Sequence, residues 1–199
     1  ARNNGSGTYT FEPLPGDGEH CGQPLFADLD NDGDLDLIHS SWEKTDVLLN
    51  NGGGNFSLSG PVLPAGGIGG GVAVADFNGD GRPDLLLANM DEGLLLMRQL
   101  PDGSFEKRAL GRFVPRDVAL GVDATCVATG DINGDGLPDF VFWEKTKEGG
   151  EPEKLVTGIN QGNFEFSYRI LPTPDRLQSV AFTLGDFNQD GCDDLAWSG

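Results

Sequence analysis

The sequence DLDNDGDLD, at Asp28–Asp36, places five carboxylates within nine residues. At neutral pH these charges repel one another, so a fold that holds them together needs a compensating positive charge. The same pattern returns as DFNGDGRPD at Asp76–Asp84, DINGDGLPD at Asp131–Asp139 and DFNQDGCDD at Asp186–Asp194. We name these four segments loops 1 to 4. Their first residues are 48, 55 and 55 positions apart, which indicates a structural repeat.

The four loops share Asp at position 1, Asp or Asn at position 3, Asp at position 5, Gly at position 6 and Asp at position 9. This spacing suits calcium, a hard cation that takes six to eight oxygen ligands. Glycine allows the sharp turn after which a carbonyl at position 7 and the carboxylate at position 9 complete the ligand shell. We therefore predict about one calcium ion per loop, four in all. The predicted site residues are Asp28, Asp30, Asp32, Asp34 and Asp36; Asp76, Asn78, Asp80, Arg82 and Asp84; Asp131, Asn133, Asp135, Leu137 and Asp139; and Asp186, Asn188, Asp190, Cys192 and Asp194.

The loops differ from an EF-hand, which begins in the same way. An EF-hand needs a bidentate Glu at position 12 and flanking helices. Here position 12 is His39, Leu87, Phe142 or Trp197, and the flanking segments, such as GVAVADF and DLLLANM around loop 2, are typical of short strands. An ordinary polar turn would account well for one such loop, but four in register favour a metal site.

A second type of turn follows each of the first three loops. The segments NNGGGNF ending at Phe56, LPDGSF ending at Phe105 and INQGNF ending at Phe164 predict hairpin tips closed by an aromatic residue. The unit is then strand A, acidic loop, strand B, variable loop, strand C, Gly-rich turn and strand D. Four strands in about fifty residues are typical of one propeller blade. A calcium-binding parallel β-helix has a far shorter period and is excluded.

With these motifs the chain resembles the FG-GAP/VCBS class of β-propeller repeats, found in integrin α-subunit heads, some fungal and bacterial lectins and many secreted bacterial proteins. The resemblance covers nearly the whole chain. It implies an all-β propeller of seven or eight four-stranded antiparallel blades, with one calcium under each blade that bears the motif. The integrin-like Gly-Ala-Pro tripeptide is absent, which favours the VCBS branch.

The predicted blade boundaries leave a partial blade at each end. Residues 1–16 end one blade, 17–64, 65–118 and 119–172 form three complete blades, and 173–199 start another. NNGSGTY at 3–9 matches the hairpin turn NNGGGNF, so the two partial blades are complementary. Two arrangements remain open, a window on a larger propeller, which we favour, or a closed four-bladed ring.

Composition limits the partners and the compartment. The 199 residues carry 32 acids and 13 bases, a net charge of −19, which argues against nucleic acid because phosphate recognition relies on Lys and Arg. No apolar run is long enough to span a bilayer, so membrane insertion is not expected. Three cysteines do not indicate a disulfide scaffold. Loops of this type in extracellular modules bind calcium with Kd of about 10⁻⁴–10⁻³ M, so we predict an extracellular, secreted or cell-surface protein.

The tetrapeptide Trp-Glu-Lys-Thr at 42–45 and 143–146 is the main candidate for ligand binding. We predict Trp42, Lys44, Trp143 and Lys145 as contacts for a protein or glycan partner at the end of the blades opposite the acidic loops. The alternative is that these tryptophans pack between blades.

Three classes of function remain open. The first is a recognition or adhesion module, and the second is a scaffolding unit of a larger assembly, completed by strand exchange between chains. The third is the propeller domain of a polysaccharide-active enzyme using Glu19, Glu43 or Glu144. We expect that the chain is not an enzyme, and that loop 1, with four carboxylates at its ligand positions, binds calcium most tightly.

Overall fold

The computed structural model describes residues 2–3, 5–15, 24–40, 44–59, 63–64, 71–89, 93–108, 110, 124–144, 154–172 and 181–198. These residues form seventeen strands, and none of them is helical. No helix able to cross a membrane is therefore found within these ranges. The strands are β1 (Arg2–Asn3), β2 (Tyr9–Thr10), β3 (Leu25–Ala27), β4 (Asp36–Ser40), β5 (Lys44–Asn50), β6 (Phe56–Leu58), β7 (Leu63–Pro64), β8 (Val72–Ala75), β9 (Asp84–Asn89), β10 (Gly93–Gln99), β11 (Phe105–Arg108), β12 (Ala124–Gly130), β13 (Asp139–Glu144), β14 (Lys154–Asn160), β15 (Phe166–Leu171), β16 (Ala181–Gly185) and β17 (Asp194–Ser198).

The strands form antiparallel meanders in which neighbours in sequence are neighbours in the sheet. Blade 1 has the order β3-β4-β5-β6, with β7 also pairing with β5, blade 2 is β8 to β11, and blade 3 is β12 to β15. The N-terminal hairpin β1–β2 and the C-terminal hairpin β16–β17 are two-stranded sheets. This architecture confirms the predicted all-β fold built from four-stranded propeller blades.

Successive blades pack face to face through both sides of their central strands. In β9, Leu85 and Leu87 lie in one cluster with Ile38 of blade 1, whereas Leu86 lies in a second cluster with Phe140 of blade 3. All of these side chains are fully buried. Alternate residues of a strand point to opposite faces, so a strand covered on both faces is apolar at every position, which explains the run Leu85–Leu87.

The hairpin turns have one shared register. Asn50 pairs with Phe56, Gln99 with Phe105 and Asn160 with Phe166, always six residues apart. The N-terminal hairpin repeats this spacing in the pair Asn3–Tyr9, so it corresponds to strands C and D of a blade.

The third hairpin tip was predicted to close at Phe164, whereas strand D begins two residues later, at Phe166. Phe164 lies in the turn with a left-handed backbone, φ 65°, and Phe166 begins the strand. The Phe164 ring is buried and has the Arg108 guanidinium 5.2 Å from its centroid. The sequence pattern alone does not separate these two aromatics, because both follow the Gly-rich turn.

Candidate metal-binding loops

Each acidic loop connects strand A to strand B, and in the three four-stranded blades it lies beside the hairpin turn that connects strands C and D. The link is the carboxylate at position 9. Asp36 Oδ1 accepts the backbone N–H of Asn50 at 2.8 Å, and Asp139 Oδ1 accepts that of Asn160 at 2.8 Å. Because both residues end strand C, the loops and the hairpin turns share one end of the blades.

The carboxylate at position 1 is enclosed by the backbone of its own loop. Asp131 Oδ1 accepts the N–H groups of Gly134 and Asp135 at 2.8 and 3.1 Å, and Oδ2 accepts that of Gly136 at 2.8 Å. Asp76 has the same three partners at positions 4, 5 and 6 of loop 2. The side chain at position 1 therefore points into the loop.

Positions 3 and 5 continue this arrangement through Asx turns, in which a side-chain oxygen accepts the N–H two residues later. In loop 3, Asn133 Oδ1 accepts from Asp135 at 3.0 Å and Asp135 Oδ1 accepts from Leu137 at 2.8 Å. The glycine at position 6 is left-handed in every loop, with φ between 81° and 92°, a conformation that lets the chain turn back. In loop 3, local hydrogen bonds thereby fix the side chains of positions 1, 3 and 5.

The carboxyl groups at position 9 of loops 1 to 3 are buried. Asp36, Asp84 and Asp139 are fully buried. The pKa of Asp84 is raised to about 6, chiefly by burial and also by the charges of Asp80 and Asp76, although N–H donors from Gln99 and Phe77 oppose the change. Burial likewise raises the pKa of Asp139. A cation bound within the loop would remove the electrostatic cost of ionising these groups.

Loop 1 brings the most carboxylates together. Within the described residues, Asp28, Asp30 and Asp36 are the one group of three ionisable side chains whose ligand atoms all lie within 4.8 Å of one another. Partial desolvation, followed by the charge of Asp36, raises the pKa of Asp30. The donors are carboxylate, amide and carbonyl oxygens, the set that a hard divalent cation prefers, so the residues present fit such an ion.

Loop 2 differs because two guanidinium groups lie against its position 5. Arg82 contacts Asp80 Oδ2 closely, and Arg98 Nη2 is 3.6 Å from the same oxygen. The sequence pattern predicted only a backbone carbonyl role for Arg82 and gave no role to its side chain. The charge of Asp80 is thus already partly neutralised by protein groups.

The predicted ligand contact of Trp143 is contradicted by the structure. Its side chain is 4% exposed and packs with Val141 and Leu155, so it belongs to the apolar core between blades. This is the alternative that the sequence left open. Lys44 is partly buried, with Nζ 3.1 Å from Asp46 Oδ2. Trp42 and Lys145 lie outside the described residues.

Cys192 occupies position 7 of loop 4, where its carbonyl was predicted to bind the ion. Desolvation and the charge of Asp190 raise the pKa of its thiol, which favours the neutral form. A neutral thiol is a poor ligand for a hard cation.

Amide side chains at the end of strand C have a role that was not predicted from the sequence. Gln99 Nε2 donates to the carbonyl of Leu29 at 2.8 Å, and Asn160 Nδ2 donates to that of Phe77 at 3.0 Å. Both acceptors are position 2 of the acidic loop in the preceding blade. One sequence feature could have indicated these residues. In all three blades an Asn or Gln lies six positions before the first aromatic residue of strand D.

Comparison with known proteins identifies one family. The model of the FG-GAP-like repeat matches residues 40–87 and 76–142, which together span more than half of the chain. No curated protein sequence is significantly similar to it. Among solved structures, the chain is similar to an Agrocybe aegerita lectin described for its specific recognition of non-reducing terminal N-acetylglucosamine. The identity is 19%, the similarity covers 98% of this chain and 67% of that chain, and the TM-score is 0.46.

Proposed function

This chain belongs to the family of FG-GAP-like repeats, and we propose that it is an extracellular, calcium-stabilised propeller module that recognises a protein or glycan partner. The observation that carries the proposal is the close grouping of Asp28, Asp30 and Asp36 in loop 1, supported by hydrogen bonds that fix the side chains of positions 1, 3 and 5 in loop 3. The same loop sequence and left-handed glycine recur four times. Binding of a cation that prefers oxygen ligands explains this recurrence better than four unrelated polar turns do.

Side chains at positions 1, 3, 5 and 9 and the carbonyl at position 7 would hold calcium in each loop. The ion supplies positive charge that cancels the repulsion among the carboxylates. Four ions would change the net charge of the chain from −19 to about −11. Since extracellular loops with Kd of about 10⁻⁴–10⁻³ M fill only where calcium is millimolar, the proposal places the protein outside the cell or on its surface.

The recognition surface is proposed at the end of the blades opposite the acidic loops. The four A–B connections are all eight residues long, whereas the three B–C connections have three, three and nine residues. Variation in loop length on a repeated scaffold is typical of binding surfaces. We propose that this end binds its partner without chemical turnover, and its loops lie outside the described residues.

Calcium binding is tested by counting ions on the intact chain in native mass spectrometry. The unchanged protein should bind four ions, and Asp131→Ala should bind three, because position 1 of loop 3 is lost. Asp102→Ala is the matched control, since Asp102 is an acid at the same end of the blades but outside the acidic loops. Unchanged ion counts in Asp131→Ala, or no calcium at all, would refute the metal assignment.

Recognition is tested separately on arrays of glycans and extracellular proteins, probed with calcium and with EDTA. Exchange of residues 145–153 for a Gly-Ser linker of equal length should remove binding without removing calcium. Binding that survives this exchange together with exchange of 41–43 and 90–92 would refute the B–C loops as the recognition surface.

A second function, scaffolding by strand exchange, is favoured by the exposed position 2 of loop 4. Phe187 is 62% exposed there, whereas Phe77 at the same position of loop 2 is 1% exposed and covered by blade 3. The N-terminal and C-terminal hairpins correspond to strands C–D and A–B of a blade. Light scattering distinguishes the outcomes, because a calcium-dependent oligomer lost in Phe187→Asp favours scaffolding and a monomer at all concentrations opposes it.

A further inference from the structure

Buried amides connect each acidic loop to the next one, and from this arrangement we infer that Gln99 and Asn160 are positioning residues that make calcium binding cooperative between neighbouring loops. The inference rests on the calcium binding proposed above. It concerns side chains that lie outside the loops and that would not themselves touch the ion.

Gln99 connects loop 1 with loop 2. Its backbone N–H donates to Asp84 Oδ1, at position 9 of loop 2, at 2.9 Å. Its side-chain amide donates to the carbonyl of Leu29, at position 2 of loop 1, at 2.8 Å. Gln99 is 5% exposed, so water does not replace either bond easily. One buried residue therefore requires both loops to be in their ordered conformations.

Asn160 connects loop 2 with loop 3 in the same way. Its backbone N–H donates to Asp139 Oδ1 at 2.8 Å, and Nδ2 donates to the carbonyl of Phe77 at 3.0 Å. Oδ1 accepts the N–H of Gly162 in the adjoining hairpin turn at 2.9 Å. Asn160 is fully buried.

Loops 3 and 4 are connected by a different residue. Asp193, at position 8 of loop 4, accepts the backbone N–H of Asp131 at 2.8 Å through Oδ2 and donates its own N–H to the Asp131 carbonyl at 2.7 Å. A Cβ atom at Gly130 would lie 2.3 Å from Asp193 Oδ2, so a larger residue at this position would displace the Asp193 carboxylate. The four loops thus form a continuous series, with Gln99 and Asn160 as its first two links.

The physical basis of the coupling is the cost of an unsatisfied buried amide. An acidic loop without its ion is opposed by repulsion among its own carboxylates. If loop 1 opens, the Gln99 amide loses its acceptor inside the protein, so loop 1 and loop 2 favour order together. A calcium ion that orders one loop thereby lowers the ordering cost of calcium binding at the next. The coupling is reciprocal, so either loop should affect the other equally.

The test measures hydrogen exchange of a peptide covering 28–36 in the intact protein during a calcium titration. Loop 2 is disabled by Asp76→Ala, and the calcium concentration that half-protects loop 1 is compared with that of the unchanged protein. We expect an increase of about fivefold, the lower end of typical allosteric coupling. In a Gln99→Leu background the same Asp76→Ala change should leave the half-protection concentration of loop 1 unaltered.

The matched control is Asn50→Leu. Asn50 occupies the equivalent position in blade 1, but its side-chain amide donates to Leu35 and accepts from Gly52 and Gly54, all within its own blade. This variant should lower stability and retain the fivefold coupling between loops 1 and 2. A purely structural role of Gln99 would give the same result for both leucine variants.

Three outcomes would overturn the inference. If Asp76→Ala shifts the half-protection concentration of loop 1 equally with and without the Gln99 amide, the amide has no role in the coupling. If Asp76→Ala does not shift this concentration when Gln99 is present, the two loops bind calcium without cooperativity. Both results leave calcium binding intact. Absence of calcium-dependent protection in all four loops would instead refute the proposed calcium sites, and the coupling with them.

Discussion

Replacing Phe77 with alanine tests whether position 2 of an acidic loop holds neighbouring blades together. Phe77 is 1% exposed, and its ring centroid lies 5.9 Å from that of Phe166 and 6.3 Å from that of Phe140. Both contacts are edge-on, at interplanar angles of 75° and 84°. A side chain from blade 2 is therefore buried by strands of blade 3.

The expected loss of stability follows from these contacts. Phenylalanine-to-alanine changes in protein cores cost about 3–5 kcal/mol. Edge-to-face ring pairs contribute about 0.5–1.5 kcal/mol each beyond the burial of area. With two such pairs, we expect Phe77→Ala to lower the free energy of unfolding by about 4 kcal/mol. This is a large part of the about 5–15 kcal/mol that is typical of folded domains.

The assay is urea unfolding in saturating calcium, followed by far-UV circular dichroism. Phe187→Ala is the control, because Phe187 occupies the same loop position but is 62% exposed. Its change should stay within about 0.5 kcal/mol in the monomer. The reasoning would be refuted if the two monomeric variants lost equal free energy of unfolding, or if Phe77→Ala lost less than about 1 kcal/mol. Either result would show that packing of position 2 against the following blade does not stabilise the fold.

Three further changes involve a guanidinium, a close glycine and the ion itself. Arg82→Leu should raise the calcium affinity of loop 2 about fivefold, because it removes an ion pair that competes for Asp80. The factor corresponds to about 1 kcal/mol, as expected for a partly exposed ion pair. An unchanged calcium concentration for half-protection of the 76–84 peptide in hydrogen exchange would contradict this. Gly158→Ala should cost about 1–3 kcal/mol in urea unfolding, because its Cβ would lie 2.2 Å from Phe140 Cζ, whereas an unaltered midpoint would show that the ring moves aside freely. EDTA should lower the Tm, and 1 M NaCl should recover part of that loss, because the Debye length falls from about 8 Å to about 3 Å; a salt-independent Tm would exclude carboxylate repulsion as its cause.

Much of the fold was predictable because its signals are local. The hairpin turns are one example, since the tips predicted to close at Phe56 and Phe105 are followed by strands that begin at these two residues. The third tip was predicted to close at Phe164, and only the pairing of Asn160 with Phe166 shows that strand D begins two residues later. Likewise, the recurrence of a Trp at one place in two repeats was compatible with binding or packing. In the structure Trp143 is buried with Val141 and Leu155, which favours packing over binding.

The candidate site shows the same division. Nine residues are enough to encode the conformation of an acidic loop, because an Asx turn joins atoms two residues apart and the glycine at position 6 supplies its own left-handed turn. The roles of Gln99, Asn160 and Arg98 involve partners much farther along the chain, and nothing in the local pattern identifies those partners.

The sequence by itself determined the repeat, the strands and the oxygen donors of each loop, since these depend on side-chain alternation and hydrogen bonds within a few residues. Only the tertiary structure decided how one loop relates to the next. The amide contacts from Gln99 to Leu29 and from Asn160 to Phe77 join residues 70 and 83 positions apart, and they exist only after the blades have packed together. Burial between blades then decides which aromatic side chains become core and which remain exposed.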